Sequence, residues 1–318
     1  MNRQKINRRS ALLGGLAGLG GLAGLGAGLV GCAGPTAAPV PASAQPSPAA
    51  GDATRQLSDL EARFGGRLGV FALDTGSGAS VGHRADERFL LCSTSKAFSA
   101  AMILSRDAGA PGLLQRRIHY TRAQVLTANS PITELHVDSG MTVAELCSAA
   151  VTVSDNTAQN LLLDVLGGPG ALTGFVRGLG DPLTRFDRTE PDLNLTSPGD
   201  ERDTGTPSWV AEDLRAVAVD TALPSAGRDQ LVAWLAANTT GARQIRAGVP
   251  AGWQVGDKTG SGAHGESNDI AVVWPPGRAP LVIAVYTAPA DPENAGGKAA
   301  IAAATSIAVQ ALTPPGGR

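Results

Sequence analysis

Apolar positions recur at helical spacing over residues 55–64, where Leu57, Leu60 and Phe64 share a face and Gly65-Gly66 closes the segment. That periodicity predicts an amphipathic helix. Residues 67–74 and 80–91 then read as two strands around the turn Thr75-Gly76-Ser77-Gly78. Residues 94–108 are apolar almost all round, the pattern of a fully buried helix. Thr142-Val143-Ala144-Glu145 has the capping-box spacing that opens a helix. A further helix over 157–166 stops at Gly167-Gly168-Pro169. Residues 186–206, rich in Asp, Arg, Thr, Pro and Gly, predict a long loop. Thr206-Pro207 starts the next helix with proline in its first turn, and another helix runs over 225–237. The pattern then returns to strands at 253–258, 269–274 and 281–287, before a terminal helix over 294–312. Strands at both ends with helices between them predict an α/β (α+β) fold. One sheet is built from both termini, and an all-helical lobe is inserted into it.

The first residues follow different rules. Arg3, Lys5, Arg8 and Arg9 precede an uncharged run of Leu, Gly and Ala over residues 11–31. This is the order of an export signal. Arg8-Arg9 resembles a twin-arginine signal, and Leu29-Val30-Gly31-Cys32 resembles the lipobox of bacterial lipoproteins. The reading preferred here is a signal peptide over 1–31, lipidation of Cys32 and an Ala/Pro/Ser-rich tether over 32–53. The chain is then exported and held on the outer side of the cell membrane. A plain leader cut at a later Ala-x-Ala-like site stays open, as does an uncleaved but weakly hydrophobic membrane helix. The folded domain is placed at 54–314, with 54–92 and 240–314 in the α/β lobe and 93–239 in the helical lobe.

Composition narrows the function classes. The chain has 318 residues, 43% of them apolar, which is enough for a substantial core. A net charge of -2 with no basic run after residue 9 argues against nucleic acid as a partner, and 4% aromatics leaves little to stack bases on. His83, His119, His136 and His264 lack metal-ligand spacing, and no dinucleotide or phosphate-loop motif is present. No metal and no cofactor are therefore expected. Beyond Cys32, export would permit a disulfide between Cys92 and Cys147, and spacing does not decide it; the reading preferred here is two buried free thiols.

Four short segments carry the candidate chemistry: Ser93-Thr94-Ser95-Lys96, Ser154-Asp155-Asn156, Glu190-Pro191-Asp192-Leu193-Asn194 and Lys258-Thr259-Gly260-Ser261. Each alone has a bland reading, as a helix cap, a loop or a strand turn. Their combination changes the weighing. On a helix, Lys96 lies one turn from Ser93 on the same face, and a lysine in an otherwise apolar helix is buried or functional. A buried amine loses its charge more easily and can accept a serine proton. The Ser154 hydroxyl can relay a proton, the Asn156 amide can bind a carbonyl, and Glu190 can act as a general base.

This ordered set resembles that of the class A serine beta-lactamases, which share a fold with the penicillin-binding proteins. The resemblance spans about residues 54–312. It implies Ser93 as nucleophile, with Lys96, Ser154 and Glu190 as proton carriers. It also implies Asn156, Asn194, Lys258, Thr259, Gly260 and Ser261 around the substrate. Arg188 and Asp203 would clasp a loop containing a cis Glu190–Pro191 bond. Small-molecule beta-lactams are the implied partners, and a monomer is expected. Two departures stand out. The arginine that many members use to bind the substrate carboxylate is missing: Gln244 (with Arg243 before it) and Ser267 (after Glu266) occupy its two usual places. Asn129 stands where a bulky residue often flanks the cleft, and Gly262 leaves no cysteine to pair with Cys92. A D-alanyl-D-alanine peptidase or a penicillin sensor that stays acylated would share Ser93, Lys96, Ser154 and Lys258. Neither would need Glu190.

Overall fold

The computed structural model describes residues 48–195 and 197–314, so the basic start, the apolar run and Cys32 lie outside the described residues. In chain order the elements are α1 (Pro48–Phe64), β1 (Gly66–Asp74), β2 (Ser80–His83), β3 (Phe89–Leu90) and, after a 3-10 turn at Cys92–Thr94, α2 (Ser95–Gly109). Then come β4 (Arg117–Ile118), β5 (Met141–Thr142), α3 (Val143–Thr152), α4 (Asn156–Leu166) and α5 (Pro169–Leu179). The chain continues through β6 (Thr204–Gly205), α6 (Pro207–Ala218), α7 (Ser225–Ala236) and the short α8 (Ile245–Gly248). It ends in β7 (Gln254–Ser261), β8 (Ser267–Trp274), β9 (Leu281–Pro289) and α9 (Gly297–Leu312).

Five strands form an antiparallel sheet in the order β2-β1-β9-β8-β7, so strands from both ends of the chain meet at its centre. β1 pairs with β9 along its whole length, from Gly66 opposite Pro289 to Asp74 opposite Leu281. Both faces of the sheet are covered, which is why these strands read as continuous apolar runs. Leu281, Ile283 and Val285 of β9 pack with Leu57 of α1 and Ile301 of α9. The alternate residues Val282, Ala284 and Tyr286 join the opposite core, with Phe98 of α2, Leu162 of α4 and Leu214 of α6.

Three local readings are corrected. α1 begins at Pro48, inside the segment assigned to the tether. Its start is alanine-rich, which favours helix, and Ala53 is buried in the core beside Leu57. Residues 80–91 are not one strand: Arg84 takes a positive φ of 44°, and β3 leaves the sheet to pair with β6. The glycines of α5 hid a helix that Pro169 opens at its first turn. The capping box at Thr142 and Glu145 forms as expected, with both reciprocal bonds present.

Candidate active site

The 3-10 turn at Cys92–Thr94 leads straight into α2 and aims Ser93 and Lys96 the same way. Lys96 is fully buried, as the apolar pattern around it required. Its Nζ donates to Ser93 Oγ at 2.9 Å, to Ser154 O at 2.9 Å and to Asn156 Oδ1 at 2.6 Å. Glu190 Oε1 lies 2.9 Å from the same amine, and Ser93 Oγ donates to that oxygen at 3.2 Å. The carboxylate thus reaches the serine hydroxyl directly. Burial pushes the Lys96 amine down from its ordinary value, and the Glu190 charge opposes that shift. The hydroxyl therefore has two bases within reach: the carboxylate, and the amine when it is neutral.

Glu190 is held from both sides. Asn194 Nδ2 donates to its Oε2 at 2.5 Å. Asn160 clamps its backbone, receiving from Glu190 N at 2.9 Å and donating to Glu190 O at 2.9 Å. Sequence reasoning missed Asn160. The signal was there, because it sits one turn after Asn156 on the same face of α4. The Glu190–Pro191 bond is cis. At the loop's base, Arg188 Nε donates to Asp203 Oδ2 at 2.6 Å, and Asp203 Oδ1 accepts from the backbone N–H of Asp187 at 2.8 Å and of Arg188 at 3.1 Å. Arg188 also donates to Leu195 O at 2.8 Å, so one side chain ties the loop across its middle as well as its ends.

Ser154 and Asn156 are set by the residue between them. Asp155 caps α4 and binds residues 132–133, while Ser154 takes a positive φ of 60°. That strained conformation is held in place from Asn129, whose Nδ2 donates to Ser154 O at 2.6 Å and whose carbonyl accepts from Asn156 N at 2.8 Å. Asn129 itself has φ 51°, a left-handed conformation that asparagine tolerates better than a bulky residue. On β7, the fully buried Lys258 donates to Ser154 Oγ at 3.1 Å and to Thr259 O at 2.8 Å. Burial, reinforced by the nearby Lys96 charge, brings its ammonium down to about 7. Thr259 Oγ1 lies 2.5 Å from Thr240 Oγ1, a partner the sequence did not reveal.

Gly260 leaves room for a close approach. A Cβ there would stand 3.0 Å from Leu91 O and 3.3 Å from Ser93 N. Its absence lets β7 lie against the turn that carries Ser93, which brings Ser261 to the same cleft. That cleft, about 300 Å³, is lined by Ser93, Ser154, Asn156, Asn194, Thr259 and Ser261 among others. Arg188 and Asp203 close the loop outside the cleft; Ser93, Ser154, Asn156, Asn194, Thr259, Gly260 and Ser261 line it, and Lys96, Glu190 and Lys258 lie buried behind it, bonded to Ser93 or Ser154. Cys92 and Cys147 are buried free thiols, and burial raises both well above the ordinary thiol range. Among the described residues, no His/Cys/Asp/Glu group is arranged to hold a metal.

A nucleophile with two adjacent bases, one of them a glutamate on a clasped loop, is the site of a serine acyl-transfer enzyme. A profile of the "Beta-lactamase enzyme family" matches residues 52–312. The chain is 53% identical to Beta-lactamase AST-1 of Nocardia asteroides over 257 residues, covering 81% of this chain and 83% of that protein. It is 52% identical to the carbapenem-hydrolyzing beta-lactamase KPC of Klebsiella oxytoca, covering 80% and 87%. The solved class A beta-lactamase from Mycobacterium abscessus superposes with a TM-score of 0.79 at 56% identity, covering 82% of this chain and 99% of that one. The chain belongs to the beta-lactamase enzyme family. Within that family it is a class A serine member.

Proposed function

We propose that this protein hydrolyses the amide bond of beta-lactams through an acyl-enzyme on Ser93 and so confers beta-lactam resistance. The observation that carries the reading is the shared contact of Lys96 and Glu190 on the Ser93 hydroxyl. In the first step Ser93 Oγ bonds to the lactam carbonyl carbon and gives its proton to Lys96 or Glu190. The backbone N–H groups of Ser93 and Ser261 face the developing oxyanion, a contribution of about 3–4 kcal/mol per donor in comparable sites. The ring C–N bond breaks, and Ser154 delivers a proton to the nitrogen. Its hydroxyl can be resupplied through Lys96 and Lys258, which both donate to it. Asn156 binds the substrate's side-chain amide, and Lys258, Thr259 and Ser261 bind its carboxylate. In the second step Glu190, aligned by Asn194, takes a proton from water. The water oxygen bonds to the acyl carbon, and Ser93 leaves with its proton restored. A glutamate placed for this second step favours hydrolysis over the lasting acylation of a sensor or the transfer chemistry of a peptidase.

The test is a mass spectrum after brief exposure to a slowly turned-over beta-lactam. The expected adduct lies on the peptide containing Ser93 and is absent in Ser93→Ala, which also loses hydrolysis. An adduct on any other residue, or hydrolysis surviving in Ser93→Ala, overturns the assignment.

The same proposal extends to location. The basic start, the apolar run and Leu29-Val30-Gly31-Cys32 support export and lipid anchoring at Cys32, with a monomeric domain on the outer side of the membrane. Palmitate labelling of cells producing the full chain is expected to mark it, and Cys32→Ala to abolish the label. Equal labelling of that variant would exclude the anchor.

A further inference from the structure

Two carboxyl groups outside the reacting site are buried against each other at the root of the Glu190 loop. Asp181 follows α5 and is 1% exposed, and Asp213 lies on α6 and is 2% exposed. Their side chains meet, and the Oδ2 atom of each faces no donor among the described residues. The other oxygen of Asp181 is in use: Oδ1 accepts from Leu183 N at 2.6 Å and from Thr184 N at 3.0 Å. This carboxyl group thus shapes the stretch that enters the loop, where Arg185 N donates to Thr204 O at 2.9 Å. Thr204 belongs to the stretch that leaves the loop, and α6 starts just beyond it at Pro207. A bond between Asp181 and Asp213 therefore joins the entering stem to the leaving one, in addition to the Arg188–Asp203 clasp.

Two buried carboxylates in contact cannot both stay charged. Arg177 supplies one cation: its Nη1 lies 3.9 Å from Asp181 Oδ1 and donates to Asp181 O and Thr184 O, each at 2.7 Å. One negative charge is balanced, and a second is not. Burial and the Asp181 charge push the Asp213 carboxyl up to about 9, against the pull of Arg177. Its other titratable neighbours, Glu212 on the same helix and Tyr286 on β9, supply no cation. Glu212 pairs with Arg215 at 3.1 Å, and burial holds the Tyr286 hydroxyl above the ordinary phenol range. β1, β8 and α7 meet α6 through apolar residues such as Phe71, Ile270 and Leu231. We infer that Asp213 is a neutral acid whose hydroxyl donates to Asp181 Oδ2, and that this shared proton makes it a positioning residue for the loop that carries Glu190. The role in deacylation rests on the hydrolase reading above, while the shared proton stands apart from it.

Unfolded Asp213 ionises in the ordinary carboxylate range, so at neutral pH folding takes up a proton. The stability this pair contributes is therefore complete in acid and is lost as pH rises to about 9, where the folded protein releases the proton. Asp213→Asn keeps a donor that cannot titrate. In thermal unfolding its Tm is expected to gain about 5 °C or more on that of the unaltered protein between pH 5 and pH 9, and to gain no further beyond. Steady-state kinetics on a beta-lactam whose acyl-enzyme accumulates report on the loop. The kcat of the unaltered protein should fall in a step near pH 9 that Asp213→Asn lacks, while kcat/KM keeps one pH profile in both. Asp213→Ala, which removes the donor, should show at neutral pH the lowered kcat that the unaltered protein reaches only in alkali. Parallel Tm curves would overturn the shared proton. The same step near pH 9 in both proteins would overturn the positioning role. Absence of hydrolysis by the unaltered protein would overturn the hydrolase reading and that role with it, and the melting curves would still decide the proton.

Discussion

Glu190→Ala is expected to acylate on Ser93 and then stall. The carboxylate serves both steps, but only the second lacks a substitute. Removing it takes away the charge that supports the protonated form of Lys96, while the burial that favours the neutral amine remains. A more neutral Lys96, 2.9 Å from Ser93 Oγ, can still accept the serine proton. Deacylation has no such reserve. Asn194, freed from Glu190 Oε2, can hold a water and cannot deprotonate it. Loss of a general base typically costs about 10²–10⁴ in rate, so a burst of acylation should precede a steady rate slower by that factor. Rapid-quench mass spectrometry checks this by following the Ser93 adduct over time. A steady rate within threefold of the unaltered protein, with no adduct, would show that Glu190 is not the deacylating base.

Asp155→Ala is expected to be the most damaging change outside the reacting atoms. Asp155 is fully buried and accepts from Ile132 N at 3.0 Å, Thr133 N at 2.9 Å, Thr133 Oγ1 at 2.9 Å and Ala158 N at 2.9 Å. Alanine would leave those donors without an acceptor inside the protein. Each stranded donor costs about 1–3 kcal/mol and the lost helix cap about 1 kcal/mol, so a destabilisation of about 3–5 kcal/mol is expected after partial relaxation. For a domain of this size that corresponds to a fall in Tm of about 10 °C. Because Ser154 and Asn156 flank the residue, activity should drop even below the melting range. Thermal unfolding measures the effect, with Asp155→Asn recovering part of it. A Tm within 1 °C of the unaltered protein would remove Asp155 from its central place in the site.

Much of this site was legible because its residues break a local pattern. Lys96 shows because α2 is apolar around it, and Ser93 because it lies one turn before Lys96. What stayed hidden depends on contacts between distant segments. β3 finds its partner at Thr204–Gly205, which no reading of residues 80–91 alone can supply. α5 was masked because Gly170, Gly174 and Gly178 lower its intrinsic helix preference, and its packing against the core through Leu172 and Val176 makes up the difference. The bracing of Glu190 by Asn160 and of Thr259 by Thr240 joins residues from different elements. The chemistry was written in short motifs, while the support around it was written in the topology.

The most direct measurement counts nitrocefin molecules opened per molecule of protein under excess substrate. A clasped Glu190 beside an acylated Ser93 should release the product and repeat, so the count is expected to climb far past one and continue linearly. A count that stops at one, with the adduct retained on Ser93, would contradict hydrolysis and leave a protein that is only acylated.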